Sequence, residues 1–385
     1  MHAPHAPGCA DGVQRRSVRG LLPVPPPGGV GVTDRPDLEN WTCPLPLRDQ
    51  TAIVMGHGGG GRLSGELVRH LFLPSFGGAE LSSVLEQLGD AAVLDAGGNR
   101  LAFTTDSYVV RPRFFPGGNV GDLAVNGTVN DLAVSGAEPL ALSVGLILEE
   151  GMPLDELGVI TETMGRAARA AGVSIVTGDT KVVDAGHGDG VYINTAGIGV
   201  VRPGLELGPG QVRPGDRILV SGPVAAHGIA VMSVRDGLEF GSDIVTDSQP
   251  LNGVVGRLLD SGAQVSMMRD PTRGGVAATL NEIAASADVG IQIVESAVPV
   301  PDDVRAACAF LGLDPLLVAN EGRVVVFVRA DDADLALDVL RQENPAAAII
   351  GEVVEEHPGV VVAKTGIGGT RVVDLPLAEQ LPRIC

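Results

Sequence analysis

The chain has 385 residues, of which 44% are hydrophobic and 19% charged, so it can form about two or three folded domains and is not disordered throughout. Its 27 basic and 47 acidic residues give a formal net charge of −20, which would repel a phosphate backbone and argues against nucleic-acid binding. The chain has no membrane-length apolar run, no secretory signal and no Cys-x-x-Cys pair among its 4 cysteines, a pattern that predicts a protein of the reducing cytoplasm.

The first 48 residues have no hydrophobic periodicity and contain Pro25-Pro26-Pro27-Gly28-Gly29. We expect residues 1–48 to be a flexible Pro/Gly-rich extension, or the product of a misplaced start codon. The pattern that follows predicts a first domain over 49–205 and a second over 206–365, with a Pro/Gly-rich connection at 202–215. Residues 366–385 are predicted to be an extended, mobile tail that ends in Cys385.

Both domains alternate strand and helix patterns, which predicts an α/β (α+β) fold. In the first domain, strands are predicted over 51–55, 91–94, 101–105, 140–148, 174–176 and 191–201, and helices over 120–134 and 154–171. In the second, strands are predicted over 218–220, 264–267, 291–294 and 323–328, helices over 251–261, 274–287, 302–311 and 332–342, and a closing strand segment over 353–363. The helix over 154–171 has the clearest ends, because Pro153 marks its start and Gly172 its stop.

A glycine loop, Gly56-His57-Gly58-Gly59-Gly60-Gly61, falls between a predicted strand and a helix that begins near Ser64. Successive backbone N–H groups of such a loop can hold an anion, which predicts a phosphate cradle with His57 as a phosphate contact. A plain flexible turn is the alternative. The loop matches the dinucleotide fingerprint by letter only, since that fold needs an acid about 20 residues further on.

Four aspartates fall at predicted strand ends or in short loops, and a fifth acid and a lysine accompany them. The aspartates are Asp106, Asp131, Asp179 and Asp270, and the companions are Lys181 and Glu321. Carboxylates at strand ends lie where open α/β sheets bind ligands, and Mg²⁺ prefers such oxygen ligands. Taken singly, each Asp is better explained as a helix cap or turn residue, most clearly Asp131 inside an apparent helix, whereas the four together beside a glycine loop favour a ligand site. Lys181 and Glu321 are candidate bases, with a surface lysine and a turn residue as the alternatives.

The chain ends in Leu381-Pro382-Arg383-Ile384-Cys385. A terminal thiol on a proline-punctuated tail suits a carrier that collects a fragment at one site and presents it at another. An incidental thiol is the alternative, although an exposed free cysteine carries an oxidation risk.

Together these motifs resemble the HypE family of hydrogenase maturation factors, the carbamoyl dehydratases of the nickel–iron hydrogenase cyanide pathway. That family belongs to the ATP-binding superfamily of aminoimidazole ribonucleotide synthetase, selenophosphate synthetase and thiamine-monophosphate kinase. The matching segments span residues 53 to 385 and include Thr105-Asp106-Ser107-Tyr108, Asn130-Asp131, Gly178-Asp179-Thr180-Lys181, Asp270-Pro271-Thr272-Arg273 and Asn320-Glu321-Gly322. The ending Pro382-Arg383-Ile384-Cys385 separates this family from its relatives.

The resemblance implies two mixed-sheet domains of the aminoimidazole ribonucleotide synthetase type, paired as a homodimer through a shared barrel. It implies that the partner carbamoyltransferase HypF loads Cys385 with a carbamoyl group, which ATP and Mg²⁺ help to dehydrate to thiocyanate. Cyanide then passes to iron on the HypC–HypD scaffold. The metal ligands that it implies are Asp106, Asp131, Asp179 and Asp270. The nucleotide contacts that it implies are His57, Gly58, Gly59, Gly60, Gly61, Thr105, Asp106, Asn130, Asp131 and Asp179. The catalytic residues that it implies are Cys385, Lys181 and Glu321, and the order in which the two bases act is open.

Two other functions fit parts of the pattern. An ATP-dependent phosphotransferase or synthetase acting on a free small molecule would use the same aspartates but leave the terminal motif unexplained. A nucleotide-gated scaffold that binds maturation partners without chemistry would hydrolyse no ATP in response to a carbamoylated Cys385.

Overall fold

The structure is a computed structural model of the chain, and it describes residues 53–59, 62–72, 89–238, 244–375, 381 and 383–384. The predicted extension over 1–48 lies outside the described residues. The described helices are α1 (Arg62–Leu67), α2 (Val120–Val134), α3 (Leu154–Ala171), α4 (Ala226–Arg235), α5 (Asn252–Asp260), α6 (Gly275–Ala287), α7 (Asp302–Leu311) and α8 (Ala333–Glu343). Over these same residues, no helix is both long and apolar enough to cross a membrane.

Strands fall into two large sheets and one short hairpin. They are β1 (Ala92–Ala96), β2 (Asn99–Tyr108), β3 (Phe114–Phe115), β4 (Gly118–Asn119), β5 (Ala137–Glu149), β6 (Ser174–Val183), β7 (Val191–Val201), β8 (Arg217–Val220), β9 (Val265–Arg269), β10 (Gly290–Val294), β11 (Val325–Val328), β12 (Ala348–Val354), β13 (Val361–Lys364) and β14 (Thr370–Val372). The first large sheet has the order β1-β2-β7-β5-β6, and the second has the order β14-β13-β10-β12-β8-β11-β9. Both sheets are mixed, since β5 pairs with β6 in parallel and β10 with β13 in parallel, while their other pairs are antiparallel.

Helix α2 lies between the first sheet and elements of the second half. It packs on β2 and β7 on one side and contacts α5 and β9 on the other. Every residue of α2 except Asp122 and Asp131 is buried, which is the pattern of a helix enclosed on all sides. Helix α2 therefore places the carboxylate of Asp131 among side chains that are otherwise buried.

Most predicted elements are present. Helices α2, α3 and α7 and strand β7 have the predicted bounds, and α3 stops at Gly172, whose φ of 71° is left-handed. The prediction of a strand at 51–55 is wrong for Met55, which begins a 3-10 turn over Met55–Gly58. The segment predicted as one strand over 353–363 comprises parts of β12 and β13, and helix α4 was not predicted.

The segment predicted as a tail differs in part from the expectation. Thr370–Val372 forms β14 and pairs with β13 at the edge of the second sheet, so this stretch belongs to the sheet and not to a free tail. Leu381 and Ile384 are buried in a hydrophobic cluster of the body. The mobility of the last residues and the domain boundaries at 205 and 365 stay predictions.

Candidate active site

A cavity of about 280 Å³ opens between β2 and α2 on one side and the connection from β9 to α6 on the other. Its lining includes six acidic residues and two arginines, which are Asp90, Asp106, Asp131, Asp270, Glu282, Glu321, Arg269 and Arg273. A recess with this excess of negative charge attracts cations.

Three of the carboxylates converge although they come from distant parts of the chain. Asp90 precedes β1, Asp131 lies on α2 and Asp270 follows β9, and one oxygen of each lies within 4.8 Å of the others. Thr104 on β2 supports the group, since its hydroxyl is 2.7 Å from Oδ2 of Asp131 and 2.9 Å from the carbonyl oxygen of Asp90. The fold therefore builds one cluster of oxygens at this point.

Burial and mutual repulsion disfavour the charged form of these carboxylates. Burial raises the pKa of Asp131 well above its ordinary value, and the negative charges of Asp106, Asp270 and Asp90 raise it further. Burial also raises the pKa of Asp270 to about 6, against the opposing effect of Arg269. The pKa of Asp90 is raised well above its ordinary value by burial. Such a cluster of buried, mutually repelling carboxylates is typical of a site that binds a cation.

Arg269 partly compensates the cluster. Its Nε lies 2.7 Å from Oδ1 of Asp90, and its Nη2 lies 3.2 Å from Oε2 of Glu282. Although burial works against the charged guanidinium, the carboxylates of Asp90 and Glu282 raise the pKa of Arg269. Arg269 stays charged, and the cavity keeps a net negative balance.

The cluster fits a magnesium ion by the chemistry of its donors. Hard carboxylate oxygens are the ligands that Mg²⁺ prefers, and Asp90, Asp131 and Asp270 each offer one within reach of a common point. Oδ2 of Asp90 is buried and accepts no hydrogen bond from any described residue. An orphaned acceptor of this kind is satisfied by a cation.

Two further predicted residues on β2 line the same cavity. Asp106 is close enough to Tyr108 to accept a hydrogen bond from its hydroxyl at 3.2 Å, and Thr105 donates to the carbonyl oxygen of Thr195 at 3.0 Å. Both lie within β2. Thr105 is in the predicted strand, whereas Asp106 does not follow the strand as predicted, because the strand continues to Tyr108.

Glu321 is buried on the cavity wall and sits in a tightly held loop. Glu321 is only 2% exposed, and its backbone N–H donates to Oδ1 of Asp247 at 3.1 Å. Asn320 holds the same loop, since its side chain bonds the carbonyl oxygens of Pro271 and Val318. Next in the chain, Gly322 leaves no room for a side chain, because an added Cβ would meet the carbonyl oxygen of Asp247 at 1.9 Å.

Two domain families match the chain over most of these elements. Residues 88–201 match the AIR synthase related protein N-terminal domain, and residues 213–364 match the corresponding C-terminal domain. Carbamoyl dehydratase HypE of Azotobacter vinelandii is 50% identical over 343 residues, which cover 89% of this chain and 99% of that protein. The chain belongs to the HypE family.

Solved HypE structures agree with this membership. The HypE structure in a HypE–HypF complex is 44% identical, with a TM-score of 0.76, and the match covers 80% of this chain and 99% of that one. A HypE structure in complex with ATP is 46% identical, with a TM-score of 0.73, and the match covers 87% of this chain and 100% of that one. The predicted HypE resemblance and the predicted two-domain mixed-sheet fold are confirmed.

Asp179 and Lys181 do not join the cavity in this HypE chain. They lie on β6, and neither lines the cavity. The two side chains are 72% and 70% exposed and pair with each other at 2.7 Å. The expected loop position is wrong because β6 runs on through this motif to Val183. Residues two apart on a strand share a face, which brings the two side chains together.

Asn130 is predicted as a nucleotide contact, and the structure uses its side chain to join the two halves. Its Nδ2 donates to the carbonyl oxygens of Gln249 and Glu321, and its Oδ1 accepts from the N–H of Leu251 at 2.7 Å. Asn130 thus supports the position of Glu321 from behind.

The described part of the glycine loop reaches the cavity rim. Arg273, which lines the cavity, donates to the carbonyl oxygen of Gly58 at 3.3 Å. Gly59 is buried, whereas the ring of His57 accepts from the N–H of Val54 at 3.0 Å and so caps its own turn. Gly60, Gly61 and Cys385 lie outside the described residues.

Part of the acidic cluster was not predicted from the sequence. Asp90, Arg269, Glu282 and Thr104 were not among the predicted site residues. Asp90 directly precedes a predicted strand, and Arg269 directly precedes the quoted Asp270 motif, so each had a local signal of the kind used for the other aspartates.

Proposed function

We propose that this chain dehydrates a carbamoyl group carried on Cys385 to a thiocyanate, with ATP as phosphoryl donor, and so supplies cyanide for the iron centre of a nickel–iron hydrogenase. The observation that carries the proposal is the acidic cavity with buried Glu321 on its wall. The support for the reaction is the 50% identity to a carbamoyl dehydratase over 89% of the chain.

The chemistry requires activation of a poor leaving group. The oxygen of the thiocarboxamide S–C(=O)–NH₂ attacks the γ-phosphorus of ATP, ADP leaves, and one N–H proton is lost to give an imino-phosphate. Loss of inorganic phosphate with the second N–H proton then gives S–C≡N. The substrate oxygen departs in phosphate, so no water is released, and the protein needs mainly to position charge and accept protons.

The residues around the cavity suit phosphoryl transfer. Asp90, Asp131 and Asp270 would hold Mg²⁺, with Asp106 beside them, and Arg273 would face the phosphates together with the glycine loop. Bound Mg²⁺ would neutralise charge on the transferring phosphoryl group. The support for ATP as ligand is the HypE structure in complex with ATP, which is 46% identical to this chain.

Glu321 is the proposed base next to the carbamoyl nitrogen, because it is a buried carboxylate on the cavity wall. Lys181, as the second base, and Asp179, as a further nucleotide or metal contact, remain part of the proposal. Both are on the exposed strand β6, so they would have to act in an assembly that covers this strand.

A homodimer is the assembly we propose. Its support is β6 itself, one of the two edge strands of the five-stranded sheet, which pairs on its outer side with no described residue and has nine of its ten residues exposed. Unpaired sheet edges are pairing surfaces. Changing Val176→Lys, at a position 65% exposed on this strand, should convert the dimer to a monomer in analytical ultracentrifugation, with exposed Val234→Lys on α4 as the control.

The proposed partners follow the order of the reaction. HypF would load Cys385, a step supported by the HypE–HypF complex of a 44% identical relative, and the HypC–HypD scaffold would accept cyanide on iron. The cytoplasm is the proposed location of this sequence of transfers.

Intact-mass analysis tests the function directly. The chain is incubated with HypF, carbamoyl phosphate, ATP and Mg²⁺, samples are taken over time, and fresh ATP and Mg²⁺ are added last. We expect a carbamoyl adduct at early times and a cyano adduct that replaces it, both on the C-terminal peptide. The variant Cys385→Ser is the control and should acquire neither.

Two results would overturn the proposal. One is a cyano adduct on Cys385→Ser, which would place the carrier elsewhere. The other is a carbamoyl adduct that fresh ATP and Mg²⁺ leave unchanged, which would favour a scaffold without chemistry.

A further inference from the structure

The last described residues of the chain are bound to the body. Leu381 is 6% exposed and Ile384 fully buried, and both belong to a hydrophobic cluster with Ala225 and Ile229 at the start of α4. Between them, Arg383 makes polar contacts through both its side chain and its backbone. The segment is therefore seated in a site with both apolar and polar walls.

The side chain of Arg383 pairs with Asp189, a carboxylate that Arg111 also approaches at 3.9 Å. Its Nη2 donates to Oδ2 of Asp189 at 2.7 Å, and its Nε donates to the carbonyl oxygen of Val109 at 3.3 Å. The Arg383 and Asp189 side chains are 23% and 32% exposed, so water screens this pair only in part.

Asp189 is held in place independently of Arg383. The hydroxyl of Tyr192 donates to its carboxylate at 3.1 Å, and Arg113 donates to its carbonyl oxygen at 2.7 Å. The carboxylate of Glu149 accepts from the N–H groups of Gly186 and Gly190, which fixes both ends of the loop that carries Asp189. The site is thus preformed, and little entropy is lost when an arginine enters it.

The backbone of Arg383 is held from two sides. Its carbonyl oxygen accepts from the N–H of Arg111 at 3.1 Å and from Nη2 of Arg235 at 2.7 Å. Arg235 lies on α4 and also donates through Nε to the carbonyl oxygen of Arg111 at 2.8 Å. Arg383 itself has a left-handed backbone with φ of 61°, a conformation that an unanchored arginine rarely adopts.

The carbonyl oxygen of Ile384, in the peptide bond to the terminal residue, is 3.1 Å from Nε2 of His227. Because a carbonyl only accepts, Nε2 carries the proton, and Nδ1 faces the Thr246 hydroxyl at 2.8 Å. His227 is fully buried, and burial lowers its pKa, although the charge of Asp247 opposes the shift. A neutral imidazole fixed by Thr246 is a well-defined donor for the tail.

The same segment that orients His227 also supports the cavity wall. Thr246 fixes the imidazole, and its neighbour Asp247 accepts the N–H of Glu321 at 3.1 Å. One short stretch of chain therefore sets both the donor that holds Ile384 and the backbone of the proposed base. The contact between His227 and Ile384 is therefore held at a fixed position relative to Glu321 on the cavity wall.

We propose that Asp189, Arg235 and His227 form a receptor for the Arg383-Ile384 segment of the same chain, and that His227 is a positioning residue which sets the reach of the terminal residue toward Glu321. The receptor recognises three groups in sequence. They are the cationic side chain of Arg383, the carbonyl oxygen of this residue in its left-handed backbone conformation, and the branched apolar side chain of Ile384. The inference rests on the proposed function only for what the tail carries.

The rate of thiol alkylation at Cys385 tests the receptor without any turnover. It is measured by mass spectrometry of the C-terminal peptide of the full chain, in Mg²⁺ and a non-hydrolysable ATP analogue. We expect Arg383→Gln and Asp189→Asn each to raise the rate about 10- to 100-fold, the range for a lost charged hydrogen bond. The double variant should be no faster than the faster single variant, because both changes break the same contact.

His227 is tested by a pair of variants. His227→Leu should raise the alkylation rate about tenfold and lower kcat of cyanation, with KM for ATP unchanged. His227→Gln, which keeps an amide donor near the position of Nε2, should bring both the alkylation rate and kcat most of the way back to the wild-type values. Rescue by Gln separates positioning from a general loss of packing.

Asp260→Asn is the matched control, since it removes an exposed ion pair with Arg202 that does not touch the tail. Equal alkylation rates in the wild type, Arg383→Gln and Asp189→Asn would overturn the proposed receptor. Because Arg383 lies on the tail, changing it leaves the fold of the body intact. If the wild type fails to form the cyano adduct while the variants are still alkylated faster than the wild type, the result counts against the proposed function alone.

Discussion

Asp131 and Asp179 belong to one predicted ligand set, yet the fold gives them opposite surroundings. Asp131 sits on an enclosed helix, where burial and three neighbouring aspartates raise its pKa. Asp179 lies on an edge strand with its side chain 72% exposed, and the hydrogen bond from Lys181 lowers its pKa. The same residue type is under electrostatic strain in the cavity and satisfied on the edge of the sheet.

The difference shows where a divalent cation is needed. The cavity cluster is unfavourable when its carboxylates are ionised, so a cation relieves it. The Asp179–Lys181 pair already has its opposite charge and is largely screened by water. Function at the first region depends on a ligand, whereas function at the second depends on whatever covers strand β6.

The largest expected effect is on turnover. Asp270→Asn should lower the rate of cyanation about 10²- to 10³-fold, the loss seen when one preorganised electrostatic contact is removed. Single-turnover mass spectrometry of carbamoylated protein with ATP measures it. Exposed Asp260→Asn should stay close to wild type, and an Asp270→Asn rate within tenfold of wild type would remove the cavity from the reaction.

The next effect is on thermal stability with metal. Mg²⁺ at about 100 times its Kd should stabilise the fold by about 2.7 kcal/mol and raise Tm by about 5 °C. Protons compete for the carboxylates, and the pKa of Asp270 is about 6, so the increase in Tm should shrink as the pH falls through this value. Scanning calorimetry at several pH values measures it, and an increase that does not depend on pH would contradict this ligand set.

A smaller effect concerns the metal-free protein. The pKa of Asp131 is higher in the folded than in the unfolded chain, so its ionisation destabilises the fold as the pH rises through the folded value. Asp131→Asn should therefore raise Tm by about 2–4 °C at pH 7 in EDTA. The gain should vanish below about pH 4, where the carboxyl is neutral in both states. A loss of stability at pH 7 would mean that the cluster is not repulsive.

The smallest expected effect is at the exposed pair. Asp179→Asn should leave Tm of the metal-free protein unchanged at low concentration, because water already solvates that carboxylate. A clear decrease that grows with protein concentration would show that a second copy covers β6. That result would place Asp179 and Lys181 in an interface between two copies of the chain.

The elements with strong local signals were predictable. Helix α3 is bounded by Pro153 and by Gly172 in a left-handed conformation, and both signals are visible in the sequence. Helix α4 was missed because it begins after Ala225, a non-glycine residue with φ of 74° and no side-chain cap. Its position is set by packing, in which Gly228 meets Val318, and not by local propensity.

The site was predictable as a list of acids but not as a geometry. Asp131 and Asp270 were expected as ligands, and the structure brings them together with Asp90, which was missed. Asp179 was expected with them because its motif looks like a loop after a short strand. Only the pairing of β6 with β5 from Ala141 to Glu149, which reaches Val183, reveals that the motif continues the strand. Such pairing depends on contacts that are distant in sequence.

The most direct test of the acidic cavity is an anomalous difference map from crystals grown with Mn²⁺ and a non-hydrolysable ATP analogue. We expect a Mn²⁺ peak bound by Asp90, Asp131 and Asp270, with the triphosphate in the same cavity. A Mn²⁺ peak and a triphosphate bound only by other residues, with these three carboxylates free of metal, would contradict it.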